Sequence, residues 1–271
     1  MRAFRVTVSE RDEDVATALL WEAGTRGIEV VAAPGEAVAL LAYFEEDVGA
    51  DALRRRLPFA EVAETPVPDV DWVARFRAGF RTFRVGGFAI GPPWELGGPA
   101  ADRLIVDPGR AFGTGTHETT RLCLLALEHA SRRRPPGAVI DVGTGTGLLA
   151  VAAARLGARL VVAIDVDPEA VSSARGHARL NDVHVHVVRG DGGRPLRPRS
   201  FDLVLANLTA PLLVEKAGEL SALLAPRGIL VLAGLLDSER LEVQAAYADR
   251  GTPRSPREGE WVALVYGDEA R

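Results

Sequence analysis

Ala138-Val-Ile-Asp141-Val-Gly143-Thr-Gly145-Thr-Gly147, running on into Leu148-Leu-Ala-Val-Ala-Ala-Ala-Arg155-Leu156, is the stretch on which the fold rests. A short apolar run ends in an acid, meets three glycines at alternate positions, then becomes an alanine- and leucine-rich helical pattern. That succession predicts a strand, a tight turn and a helix, the opening of a βαβ unit. Glycines let the turn bend sharply and let a ligand lie against bare backbone. The next apolar run, Leu160-Val-Val-Ala-Ile-Asp165, also ends in an acid, 18 residues after Gly147. A carboxylate there can accept hydrogen bonds from both hydroxyls of a ribose, as in the nucleoside-binding halves of α/β sheets. The pattern therefore predicts a nucleoside site.

Gly145-Thr-Gly147-Leu-Leu-Ala150 also satisfies the loose dinucleotide pattern G-x-G-x-x-A. A nicotinamide cofactor is thus one reading, and a glycine turn with no ligand another. Two details favour S-adenosylmethionine. Asp141 lies on the strand just before the glycines, where it would face the methionine ammonium; beside a pyrophosphate it would repel. The order D-x-G-x-G-x-G is also similar to the first motif of the class I methyltransferases.

The 271 residues have room for two domains, one of ordinary size and one small. An apolar content of 47% with 25% charged residues predicts a globular chain. No signal-peptide pattern is present, and no apolar run reaches the roughly 18 residues of a membrane helix. These features predict a cytoplasmic protein without a membrane partner. Cys123 is the one cysteine, which excludes an intramolecular disulfide and a cysteine-built metal site. A net charge of −5 argues against nonspecific nucleic-acid binding and suits a basic protein partner. Of 32 basic residues only Lys216 is a lysine. The runs Arg54-Arg-Arg56 and Arg132-Arg-Arg134 read as solvated faces or helix ends.

Residues 1–66 read as a small front domain. Strands are predicted at Phe4–Val8, Ile28–Ala32, Val38–Phe44 and Ala60–Glu64, with helices after Ser9 and over Asp51–Leu57. The order βαββαβ predicts a ferredoxin-like α+β domain. Nothing in it has a catalytic spacing, so it reads equally as a folding or dimerising module or as a docking surface. Residues 67–100 read as a connector, in which Asp71–Phe80 fits a helix with Trp72, Phe76 and Phe80 at four-residue spacing. Proline-rich stops on either side suit a semi-rigid joint.

Residues 101–271 read as the larger α/β domain. A second glycine-rich turn, Asp107-Pro-Gly-Arg-Ala-Phe112-Gly-Thr-Gly-Thr116-His117-Glu-Thr-Thr120, leads into a helix over Arg121–His129. Amides and hydroxyls at a helix start, among them those of Thr116 and Thr120, favour an anionic group such as the methionine carboxylate. His117 has no second His, Cys or acid at ligand spacing, so no metal is predicted. Further strands are predicted at Val183–Val188, Phe201–Ala206, Gly228–Ala233 and Trp261–Tyr266, with helices from Pro168 to about Asn181 and over Ser238–Asp249. Asp191, after the third strand, is a candidate acceptor for an adenine amine or a turn aspartate. Asn207 lies at the carboxyl end of its strand, where ligands sit in open parallel sheets. It is the candidate for handling the group that reacts.

Over nearly its whole length the chain resembles the PrmA family of protein methyltransferases. The resemblance rests on Asp71-Trp-Val, Pro93-Trp94, Asp107-Pro-Gly, Ala111-Phe-Gly-Thr-Gly-Thr-His-Glu-Thr-Thr120, the glycine turn, Asp165-Val-Asp-Pro168, Ala206-Asn207-Leu and Glu258-Gly-Glu-Trp261. It implies a class I Rossmann-like sheet and methylation of lysine and N-terminal amines of a large-subunit ribosomal protein. It also implies donor contacts from Thr120, Gly143, Asp165 and Asn207, and a front domain that recognises the ribosomal protein. Thr209-Ala-Pro211 departs from commoner versions of that loop, and Pro253 and Pro256 weaken the penultimate strand. Methylation of another protein, such as an electron-transfer flavoprotein subunit, stays open on these residues, as does a non-catalytic donor-binding or NAD-dependent protein. Oligomeric state cannot be read.

Overall fold

The computed structural model describes residues 2–31, 37–45, 48–66, 77, 79–108, 113–132, 135–192, 196 and 198–267. The chain divides into two compact units, Met1–Asp71 and Trp72–Arg271.

In the first unit, β1 (Arg2–Ser9) is followed by a helix (Glu13–Glu22), β2 (Gly27–Val31), β3 (Ala37–Phe44), a second helix (Ala50–Arg56) and β4 (Glu61–Thr65). The sheet order is β2-β3-β1-β4, with every neighbour antiparallel. This is the ferredoxin-like arrangement that the element order predicts. Side chains alternate across a strand. Phe4, Val6 and Val8 of β1 therefore share one face with Leu40, Ala42 and Phe44 of β3, and Leu20 and Leu53 from the two helices cover it. Phe4 and Phe44 meet edge-on, with ring centres 5.9 Å apart.

The second unit opens with a three-stranded sheet of β5 (Phe83–Val85), β6 (Phe88–Gly91) and β7 (Arg103–Ile105). The sequence reading places most of these residues in a connector. Instead Phe80, Val85, Phe88, Ile90 and Leu104 are buried in the main core of this unit. The aromatic helix predicted over Asp71–Phe80 falls mostly outside the described residues. Buried Asn181 ties β7 down: its Oδ1 accepts from Ile105 N at 2.8 Å and its Nδ2 donates to Ile105 O at 2.7 Å. Two residues on, Asp107 N donates to His177 Nε2 at 3.0 Å.

The large sheet holds β8 (Ala138–Val142), β9 (Leu160–Asp165), β10 (His186–Arg189), β11 (Phe201–Asn207), β12 (Leu224–Leu236), β13 (Arg257–Glu258) and β14 (Trp261–Tyr266). Its order is β10-β9-β8-β11-β12-β14-β13. The strands from β10 to β12 are parallel, β14 runs antiparallel to β12, and β13 is antiparallel to β14. Buried strands alternate cleanly between the two faces. Val139, Val161, Leu203, Leu205 and Val231 pack with the helices Glu118–Ser131 and Leu148–Arg155 on one side. Ile140, Val162, Val204, Leu230 and Leu232 pack with the helices Ala210–Glu215 and Ala217–Leu223 on the other. Strand order reverses between β8 and β11, and that switch point opens a crevice at the carboxyl ends of the strands.

Candidate active site

The glycine turn follows β8 directly. Gly143 N and Thr144 N donate to Ile164 O of β9 at 2.9 and 3.1 Å, which folds the turn onto the neighbouring strand. Gly143, Gly145 and Gly147 all have positive φ, at 71°, 55° and 82°. Gly147 begins the helix Leu148–Arg155 and lies against Ala174: a Cβ there would meet the Ala174 Cβ at 2.8 Å and its Cα at 2.9 Å. Gly143 instead presses on Leu208, whose Cδ2 is 2.4 Å from a Cβ built at that position.

Asp141 lies beneath this turn and is 1% exposed. Thr144 Oγ1 donates to its Oδ2 at 2.5 Å, while Oδ1 is buried with no hydrogen-bond partner among the described residues. Burial pushes the carboxyl up from 3.8 to about 6, with the Thr144 hydroxyl and the Ala150 amide pulling down and the Asp165 charge adding to the rise. A buried acceptor left unpaired is costly. A cationic ligand group in the crevice would supply the missing partner.

Asp165 ends β9 and is bound into the turn: its Oδ2 accepts from Gly145 N at 2.9 Å and its Oδ1 from Asp167 N at 3.0 Å. Each carboxylate oxygen keeps a further lone pair. Asp191 follows β10, and Gly190 N donates to Asp165 O at 2.9 Å, so the two acids stand on adjoining strand ends. Lys216 Nζ donates to Asp191 Oδ1 at 2.5 Å, a partner 25 residues away that the sequence does not announce. Asn207 ends β11, and its Nδ2 donates to Thr120 Oγ1 over a long 3.4 Å.

A small cleft is lined by Gly113, Thr120, Gly143, Thr144, Leu148, Leu149 and Asn207. The structure thus brings Thr120, Gly143 and Asn207 to one cleft, with Gly145, Gly147, Asp141 and Asp165 in or under the same turn. Thr116 stands apart: it is exposed, and its hydroxyl is 3.2 Å from that of Thr114. Gly113, Thr144, Leu148 and Leu149 were missed by sequence reasoning. Thr144 had a signal, a hydroxyl between two glycines next to an acid. Gly113 lay in the second glycine turn, but its place is set by the distant Thr146, whose Oγ1 donates to Gly113 O at 2.6 Å.

The second glycine turn is held from the far end of the chain. His117 caps the helix Glu118–Ser131 through Thr119 N and meets Trp261 edge-on, with ring centres 4.8 Å apart. Arg121 pairs with Glu258 at 2.7 Å and Glu118 at 3.3 Å, and donates to Thr116 O. Residues 109–112 of that turn lie outside the described residues. Among the described residues no group of three or more His, Cys, Asp or Glu is placed to hold a metal, and no helix is long and apolar enough to cross a membrane.

Residues 13–268 match the sequence model of one family, described as ribosomal protein L11 methyltransferase (PrmA). The chain is 45% identical over 217 residues to the ribosomal protein L11 methyltransferase of Geobacter sulfurreducens, covering 78% of this chain and 71% of that one. It is 36% identical over 279 residues to the protein of the same name from Myxococcus xanthus, covering 96% of both. A crystal structure of ribosomal protein L11 methylase from Lactobacillus delbrueckii subsp. bulgaricus superposes with a TM-score of 0.62 at 31% identity. That match spans 68% of this chain and 97% of the other.

Proposed function

The chain belongs to the ribosomal protein L11 methyltransferase (PrmA) family, and from that premise we infer that it is an S-adenosylmethionine-dependent protein methyltransferase acting on ribosomal protein L11. The observation that carries the reading within this chain is Asp141, a buried carboxylate with one oxygen unpartnered among the described residues, under three left-handed glycines. Its residues fit the donor. The orphaned oxygen suits an ammonium, the bare turn suits close approach, and the acid closing β9 suits a ribose. A nicotinamide pyrophosphate would set negative charge against Asp141.

When bound, the donor supplies an electrophilic methyl on a sulfonium. We assign Asp141 to the donor's ammonium, Asp165 to its ribose and Asp191 to its adenine amine. Thr120, Gly143, Gly145 and Gly147 line its path, and Thr116 is left to shape the loop. None of these groups needs to move a proton. The acceptor is a lysine or N-terminal amine. A lysine with an ordinary pKa of about 10.4 is protonated at neutral pH and has no lone pair to attack with. Desolvation in the crevice and a neighbouring cation both lower that value, so the proton can leave to water before attack. The chain's work is then alignment. Asn207 donates through Nδ2 to Thr120, which leaves its carbonyl oxygen to accept an amine N–H and aim the lone pair.

The first unit, with its own core and no catalytic constellation, is our candidate for docking the ribosomal protein, and the cytoplasm is our candidate compartment. The test is intact-mass analysis of purified ribosomal protein L11 incubated with enzyme and donor. Gains in steps of one methyl group are expected. A protein that binds the donor yet leaves the mass unchanged would refute the assignment of substrate.

A further inference from the structure

Of the 32 basic residues Lys216 is the one lysine. Lys216 stands at the junction of the helices Ala210–Glu215 and Ala217–Leu223, on the segment that follows Asn207. Its side chain is 9% exposed, whereas that of its partner Asp191 is 62% exposed. A flexible ammonium can normally snorkel to water. This one reaches instead to the turn beyond β10 and contacts Asp191 Oδ1 at 2.5 Å.

The turn is gripped at several points. Gly190 N donates to the backbone of Asp165 at 2.9 Å. Gly192, at φ 62°, lies so close to Glu219 that a Cβ there would be 2.1 Å from the Glu219 Oε1. Lys216 is the N-cap residue of the helix Ala217–Leu223 and Glu219 lies in its first turn, so the stretch after β11 brackets the stretch after β10. Lysine brings a compact point charge on a flexible stem to this contact, where arginine would bring a planar fork. For stability alone, a well-packed apolar residue commonly does as well as a buried ion pair. What the pair adds here is a restraint on the direction of the Asp191 carboxylate.

We propose that Lys216 is a positioning residue that holds the Asp191 carboxylate against the adenine amine of the methyl donor, so that it sets preference for the base rather than the rate of transfer. The proposal rests on the assignment of the adenosine to the carboxyl ends of β9 and β10. A carboxylate held still accepts an amine hydrogen bond at lower entropic cost.

The experiment compares S-adenosylhomocysteine with S-inosylhomocysteine, in which a carbonyl replaces the exocyclic amine, by calorimetry on the full chain. In the unaltered protein the adenine compound should bind on the order of tenfold to a hundredfold tighter, the worth of one hydrogen bond to a charged group. Lys216→Met should bring the two affinities within about threefold of each other, chiefly by weakening the adenine compound, with turnover at saturating donor preserved. Lys216→Gln, which keeps a donor in similar volume, should retain part of the preference and guards against loss of packing. A merely structural lysine would weaken both compounds alike, and an undiminished preference in either variant overturns the proposal. If the unaltered protein binds both compounds equally, the adenosine assignment itself is wrong.

Discussion

Asp141 makes donor affinity a function of pH in a window where few carboxylates titrate. Its carboxyl is lifted by burial from 3.8 to about 6. At 1.36 kcal/mol per pH unit that is about 3 kcal/mol favouring the protonated form in the donor-free fold. Because the folded value is the higher one, the cost of the buried charge is absent below about pH 4. It grows as pH rises toward 6 and is present in full above that. An ammonium placed on Oδ1 offsets this cost, so binding selects the ionised carboxylate. With a free-state value of about 6, the ionised fraction is about nine-tenths at pH 7 and about one-tenth at pH 5. The dissociation constant of S-adenosylhomocysteine should therefore rise about tenfold between pH 7 and pH 5, a range below the titration of an α-amino group. Calorimetry at half-unit intervals measures this directly. The Asp141→Asn variant should bind on the order of tenfold to a hundredfold more weakly at pH 7 and show no such slope. A flat profile in the unaltered protein, or an equal slope in the variant, would refute the pairing of Asp141 with the donor's ammonium.

Four further outcomes follow from the same geometry. Asn207→Ala, assayed at saturating donor, should lower turnover on the order of a hundredfold through lost alignment; turnover near that of the unaltered enzyme would remove Asn207 from the reaction. Asp165→Ala should raise the donor's dissociation constant by about tenfold or more with little change in saturated turnover, and unchanged affinity by calorimetry would contradict the ribose assignment. Gly147→Ala combines a left-handed backbone with a Cβ 2.8 Å from that of Ala174. It should cost about 2–5 kcal/mol in a denaturant titration, and a loss under 1 kcal/mol would show that the helix start can shift. Finally, enzyme incubated with donor alone should acquire no methyl group at Lys216, whose nitrogen is engaged by Asp191; peptide mapping that finds one there would show that this ion pair opens.

What could be read from the sequence was local. Asp141 to Gly147 announces itself because the strand, the turn and the helix each carry their own signal within a few residues. The front unit was legible for the same reason, since its strands alternate over five to eight residues. Strands β5 to β7 were not, because three or four residues are too few for a period; burial of Phe88, Ile90 and Leu104 makes them strands. Pro211 misled in a different way. It reads as a loop breaker, yet it lies in the first turn of the helix Ala210–Glu215, where a missing amide hydrogen costs nothing. The third strand, expected at Val183–Val188, is shifted to His186–Arg189 at the sheet edge, where one partner strand fixes the register. Of the site, positions were legible and pairings were not. That Asp141 is wholly buried, that Asp165 holds Gly145, and that Lys216 reaches Asp191 all depend on the packing of distant segments.

The stitching of β7 by Asn181 and His177 decides where this chain can be divided. A catalytic fragment that began at Ala101, as the sequence invites, would discard Phe80, Val85, Phe88 and Ile90 and expose the apolar side of the helix Glu118–Ser131. The scissors belong upstream, near the break at Asp71, so the shortest piece that stands by itself carries about thirty residues more than its glycine motifs suggest.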